Sequence, residues 1–88
     1  MKIVEGFILR KVGKEYVVVA IGKASARLNG LIKLNESGVL LWNELKKGTD
    51  EGRLVACLQK KYGISQEIAA ADVTAFLQTL RSVDCIED

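Results

Sequence analysis

Apolar positions recur with a period of two in the first third of the chain and near 3.6 thereafter, which predicts strands followed by helices. Phe7–Val12 and Tyr16–Ile21 are rich in β-branched and aromatic residues and are joined by Gly13–Lys14–Glu15, a hairpin composition with Gly13 suited to a left-handed turn position. In the second run Val17, Val19 and Ile21 share one face, and Tyr16, Val18 and Ala20 share the other. Both faces are apolar, so cover is expected on each: helices on one side, a partner or second subunit on the other. Gly22–Gly30 is a connection of small residues anchored by Leu28 and closed by the turn signal Asn29–Gly30. Leu31–Leu34 reads as a third short strand, with Ile32 and Leu34 on its apolar face and Leu31 and Lys33 opposite. A lysine in mid-strand fits a sheet edge, where a charge discourages indiscriminate pairing.

Asn35 then caps a first helix, its side-chain oxygen accepting from an amide two or three residues on. Leu34 and Val39 have the spacing of a hydrophobic staple, and Val39, Leu41, Trp42 and Leu45 form the stripe to be buried. Lys46, Lys47 and Gly48 end this helix. Thr49 is expected to cap the second helix, whose apolar positions are Leu54, Leu58 and Tyr62, flanked by Val55 and Cys57. Gly63 breaks it. Ile64–Ser65 opens a third helix running to about Arg81, with Ile68, Ala69, Val73, Phe76, Leu77 and Leu80 as its apolar set. Val83 and Ile86 return as a short strand or as tail packing. The order is that of an α+β fold resembling a winged helix-turn-helix, a three-stranded antiparallel sheet followed by a three-helix bundle, with residues 1–88 as one domain.

Composition narrows the chemistry. The chain has 88 residues, 49% of them hydrophobic, enough for one core without obligatory staples. No window approaches the roughly 18–20 consecutive apolar residues of a membrane span. The opening Met1–Lys2–Ile3–Val4–Glu5 is unlike a secretory signal, so a cytoplasmic location is expected. There, Cys57 and Cys85 read as unpaired thiols, with Cys57 in the core. The chain lacks His, which leaves no complete ligand set for a structural metal and no cofactor motif. Up to Lys61 there are 12 basic residues against 6 acidic; from Tyr62 onward there is 1 basic residue against 5 acidic. A polarised domain of this kind can steer or orient a charged partner.

General acid–base work draws on His or on carboxylates held close together. The one acid inside an apolar helical pattern is Asp72, expected to be buried or half-buried. It either bonds a helix end or an Arg, or lies at the rim of a groove and accepts from a ligand. The glycines never reach phosphate-loop spacing. Gly38 reads as a point of close packing between the first helical turn and the strand before it. A DNA-reading helix needs basic or amide side chains at its exposed start. The third helix opens instead with Ser65, Gln66 and Glu67 and has no basic residue before Arg81, so nucleic-acid binding is the weak alternative. What remains is edge pairing. An extended peptide can add a strand to Leu31–Asn35 and drop side chains toward the small-residue face of the third helix (Ala71, Ala75), with Lys33 meeting an acidic peptide residue. The competing reading is that the chain's own terminus, or a second copy in a structural or regulatory homodimer, covers the same edge.

Several pieces together carry a resemblance over nearly the whole chain: Phe7–Arg10, Tyr16–Val19, Asn29–Gly38, Leu41–Trp42, and Asp72–Val73 followed by Phe76–Leu77 and Leu80. The chain resembles the pyrroloquinoline quinone biosynthesis protein D family. The resemblance implies a non-catalytic recognition element for ribosomally made precursor peptides, which binds a leader peptide as an added strand and hands it to a modifying enzyme, often a radical enzyme using S-adenosylmethionine. Carried onto this chain, it implies a peptide site of Leu31, Ile32, Lys33 and Leu34 with Asp72, Ala75, Phe76 and Thr79.

Overall fold

A computed structural model describes residues 1–88. The hairpin forms as expected: β2 (Phe7–Val12) pairs antiparallel with β3 (Glu15–Ala20) through a two-residue turn, Gly13–Lys14, in which Gly13 takes φ +63°. β4 (Leu31–Leu34) joins β3 antiparallel, with Tyr16 opposite Leu34 and Val18 opposite Ile32, so the sheet order is β2-β3-β4 and β4 is an edge. Two elements were not separately foreseen. The Gly22–Gly30 connection winds a 3₁₀ turn over Gly22–Ala26, and β1 (Lys2–Ile3) pairs with β5 (Ile86–Glu87) in a separate two-stranded sheet. The returning tail is therefore a strand, and its partner is the other end of the chain.

Three helices follow: α1 (Glu36–Lys47), α2 (Glu51–Tyr62) and α3 (Gln66–Arg81). The Gly38 amide donates to Asn35 Oδ1 at 2.9 Å, so that N-cap works as read, and the Ile68 amide donates to Ser65 Oγ at 3.2 Å, which makes Ser65 the cap of α3. The cap of α2 is Asp50 rather than Thr49, with the Arg53 amide donating to Asp50 Oδ1 at 2.8 Å. Thr49 is used elsewhere: its amide donates to the Met1 carbonyl at 2.9 Å and ties the α1–α2 connection to the N-terminal segment. A carboxylate also complements the positive pole of α2 better than a hydroxyl does.

The core lies between the sheet and the helices. Trp42, Leu45, Leu54, Leu58, Ala69, Val73 and Leu80 are fully buried and meet Val18 and Phe7 from the sheet. Four positions of the expected stripes are not in it. Val39 and Cys57 are half-buried, and Tyr62 and Ile68 are exposed, because the core closes on the neighbouring Leu41–Trp42–Leu45, Leu54–Leu58 and Ala69–Val73 faces. The opposite face of the sheet is apolar too. Val17 is buried there between its cross-strand neighbours Arg10 and Lys33, while Val12, Ile21 and Leu31 stand exposed.

Trp42 is the largest fully buried side chain, and its Nε1 has no hydrogen-bond partner. Its stabilisation therefore comes from ring packing alone. Trp42→Ala is expected to remove about 3–5 kcal/mol, a large share of the roughly 5–15 kcal/mol typical of a domain. Trp42→Phe should cost less than half as much, since no bond from the indole nitrogen is lost. Urea unfolding of the two variants checks the ratio.

Candidate functional site

Where β4 ends and α1 begins, the sheet edge and α3 stand apart and leave an open cleft of about 990 Å³. The local sequence builds it. Asn35 stops the strand, and Gly38, buried in the first turn of α1, lets that turn lie against Leu34: a Cβ at Gly38 would stand 3.3 Å from Leu34 Cβ and 3.2 Å from Asn35 Oδ1. Asp72, Ala75, Phe76 and Thr79 of α3 form the facing wall, brought to one side by their i, i+3, i+4, i+7 spacing.

Seven of the eight residues named from the sequence line this cleft: Ile32, Lys33, Leu34, Asp72, Ala75, Phe76 and Thr79. Leu31 does not. It sits 54% exposed at the far end of β4 from the α1 junction, beyond the cleft and on the outward face of the sheet. Ala71 is exposed and also lies outside. Asn35, the end of the segment expected to pair with a peptide, also lines it; missed were the hairpin end, Lys14–Tyr16, and the first turn of α1, Glu36–Val39 with Leu41. Register was the available signal for Tyr16, because pairing it with Leu34 carries its ring to the cleft, where Lys11 Nζ stands 5.6 Å from the ring centroid.

The backbone of β4 has one partner strand, and none of the chain's backbone hydrogen bonds outside its helices and sheets involves Leu31–Leu34. The chain's terminus, which could have covered this edge, is paired with β1 instead. Half of the donors and acceptors of β4 thus remain unpaired beside a groove floored by Ile32, Leu34 and the half-buried Phe76. Thr79 Oγ1 donates to the Ala75 carbonyl at 3.2 Å, which leaves its lone pairs free to accept.

Charge corrects one expectation. Asp72 is exposed and engaged in no hydrogen bond or ion pair, so it neither bonds a helix end nor pairs with an Arg; it stands at the groove rim. Lys33 Nζ lies 3.0 Å from Glu15 Oε1. Both groups are well exposed, so this bridge is weak and readily exchanged. The lining holds three acids (Glu15, Glu36, Asp72) and two lysines (Lys14, Lys33), which does not favour a strongly acidic ligand.

Neither thiol belongs to the cleft. Both are free; burial, with the nearby Glu44 carboxylate, raises the Cys57 thiol, and burial alone pushes Cys85 up to about 12. No three His, Cys, Asp or Glu side chains gather as a metal site. The exposed face of α3 carries no Lys or Arg before Arg81, which itself reaches Asp88, so the helix that would read DNA brings no cation to it. No helix is long and apolar enough to cross a membrane.

Sheet, helix order and cleft define an α+β domain in which a three-stranded antiparallel sheet with an open edge is followed by three helices. Residues 15–86 match the family model described as coenzyme PQQ synthesis protein D (PqqD), and the chain belongs to that family. In structure it is similar to TbiB1 in complex with the TbiA(beta) leader peptide, at 20% identity and TM-score 0.78, over 99% of this chain and 95% of the other. It is similar likewise to lasso peptide synthetase B1 complexed with the leader peptide, at 15% identity and TM-score 0.76, over 99% and 96% of the two chains. No curated protein sequence matches the chain.

The Cys85 thiol generates a pH prediction. Its folded value lies above the ordinary 9.0, so the unfolded chain releases this proton first. Stability is then full below pH 9 and declines as pH rises from about 9 to about 12, where the folded thiol also ionises. In urea titrations against pH, Cys85→Ala should remove that part of the decline.

Proposed function

We propose that this chain is a non-catalytic adaptor that binds the leader of a ribosomally made precursor peptide and presents it to a modifying enzyme. The observation that carries this is the unpaired β4 edge lying open beside the α3 wall. An extended guest would satisfy the free backbone groups of β4, and alternate side chains would drop between Ile32, Leu34 and Phe76. Main-chain bonds supply affinity and the α3 wall supplies selectivity. Family membership and the leader-peptide complexes of the two similar structures support the same reading. Residues 1–88 would act as one cytoplasmic recognition domain, serving an enzyme such as one using S-adenosylmethionine radical chemistry. The apolar outer face of the sheet, with Val12, Ile21 and Leu31 exposed, is available to that enzyme while the edge holds the peptide.

A second reading is favoured by the same exposed face: a homodimer in which sheets or β4 edges pair with their own copies. Sedimentation equilibrium separates the two, because edge-to-edge dimers would dissociate as peptide is added, whereas a monomeric adaptor would keep its mass plus one peptide.

Ala75 is exposed on α3 and lines the cleft, so a large side chain there fills the groove without disturbing the core. Ala75→Trp is expected to weaken leader-peptide binding by about tenfold or more, roughly 1.4 kcal/mol, while the melting temperature stays within a few degrees. Fluorescence anisotropy with labelled precursor peptides encoded beside this chain measures it. Unchanged affinity in Ala75→Trp would remove the site.

A further inference from the structure

The main sheet has a second free edge. β2 is hydrogen-bonded to β3 alone, and none of the backbone bonds outside the helices and sheets involves Ile8–Val12. The hairpin decides which of its groups are open. A two-residue turn makes Val12 and Glu15 a hydrogen-bonded pair, and the Ile21 amide donating to the Gly6 carbonyl at 2.8 Å keeps the same alternation at the other end. The amides and carbonyls of Leu9 and Lys11 therefore point outward, on the side of the sheet away from β4.

A depression of about 740 Å³ lies at the start of this edge, and no residue lines both it and the cleft. Ile3, Phe7, Ile8 and Ile21 are its apolar walls. Gly6, at φ +100°, lets the chain pass close to Ala24, where a Cβ would stand 2.8 Å from Ala24 Cβ. Charge selects the guest. Arg10 and Lys11 lie on the strand, Lys23 and Lys46 flank the depression, and Glu5 is the one acid in its lining. Arg10, Lys23 and Lys46 are exposed and engaged in no ion pair. Cations on an edge deter indiscriminate pairing and admit an acidic strand. A second copy fits poorly, because β2 against β2 would gather two Arg10 and two Lys11 in one short ladder. Nucleic acid could use the cations, but neither the outward carbonyls nor the apolar walls.

We propose that β2 is a second strand-accepting surface, and that its occupant is an extended segment of another protein carrying acidic and large apolar side chains. This goes beyond the adaptor reading and does not depend on it. The two edges lie on opposite sides of one sheet, so both can be filled at once and the domain can hold two polypeptides.

The test selects displayed random peptides of about twelve residues on the immobilised Ala75→Trp chain, whose β4 cleft is blocked, and titrates the strongest binder by anisotropy. Selected peptides should combine acids with large apolar residues and bind the wild-type chain as tightly as Ala75→Trp. Lys11→Pro removes an outward amide and no β2–β3 bond, and affinity should fall about tenfold or more. The exposed charge reversal Lys23→Glu with Lys46→Glu keeps the backbone intact and should cost roughly threefold to tenfold. Hydrogen exchange should show the Leu9 and Lys11 amides protected by the peptide and those of Leu31 and Lys33 unchanged. Failure to select a binder, binders without acids, affinity unchanged in both variants, or protection confined to β4 would each overturn the second edge. A labelled DNA duplex that binds the wild-type chain more tightly than the peptide would assign the cations to nucleic acid instead. A doubled mass in sedimentation that Lys11→Pro returns to the monomer would assign the edge to a second copy. All of these outcomes leave leader binding at β4 standing, and loss of that binding would in turn leave the β2 binder in place.

Discussion

The row of backbone donors and acceptors along the outer side of β4 is the constraint around which this molecule is arranged. A free strand edge is a hazard, since any extended chain can pair with it. Here the hazard is limited in three ways: β4 is four residues long, Lys33 sits within it, and α3 stands beside it as a wall. The edge stays open because the end of the chain that could cover it is committed elsewhere. β5 pairs with β1, the Val4 amide donates to the Cys85 carbonyl at 2.8 Å, and Thr49 holds Met1. Tying the two ends to each other is what leaves the third strand of the main sheet single-sided.

The turn from Leu34 to Val39 converts that edge into a site. Asn35 ends the strand and caps α1 in the same few atoms, its Oδ1 accepting from both the Gly38 amide and the Ser37 hydroxyl. Gly38 permits the helix to start hard against Leu34. The sheet therefore stops where the helix begins, and the space left over α3 is the cleft. Its lining mixes apolar floor with charges of both signs, which suits a guest held by main-chain bonds and shape more than by net charge.

Much of this was legible in the residues, because the signals involved are local. The hairpin, the short edge strand, three helices and the cap Asn35 follow from periodicity and capping chemistry, and the facing wall Asp72–Thr79 from the family resemblance. The losses have physical reasons. Pairing of β1 with β5 is a contact between opposite ends of the chain, and two-residue strands leave no periodic trace. Thr49 and Asp50 are both good caps, and the choice was made by the Met1 carbonyl, a distant group. Ile68, Tyr62 and Cys57 carry helical spacing, but spacing cannot separate a face that meets the core from one that lines a groove. Leu31 shares a strand with the cleft residues yet lies past its end. In the same way, Asp72 shows in the sequence only as an acid among apolar neighbours, and its freedom at the rim depends on where α1 ends up.

Amide hydrogen exchange at Leu31–Leu34 tests the central claim most directly. With the edge free in the monomer, the amides of β4 that point away from β3 should exchange far faster than those of β3 in the chain alone, and should become protected when a leader peptide is added. Strong protection of all four amides in the isolated monomer, unchanged by peptide, would contradict the account.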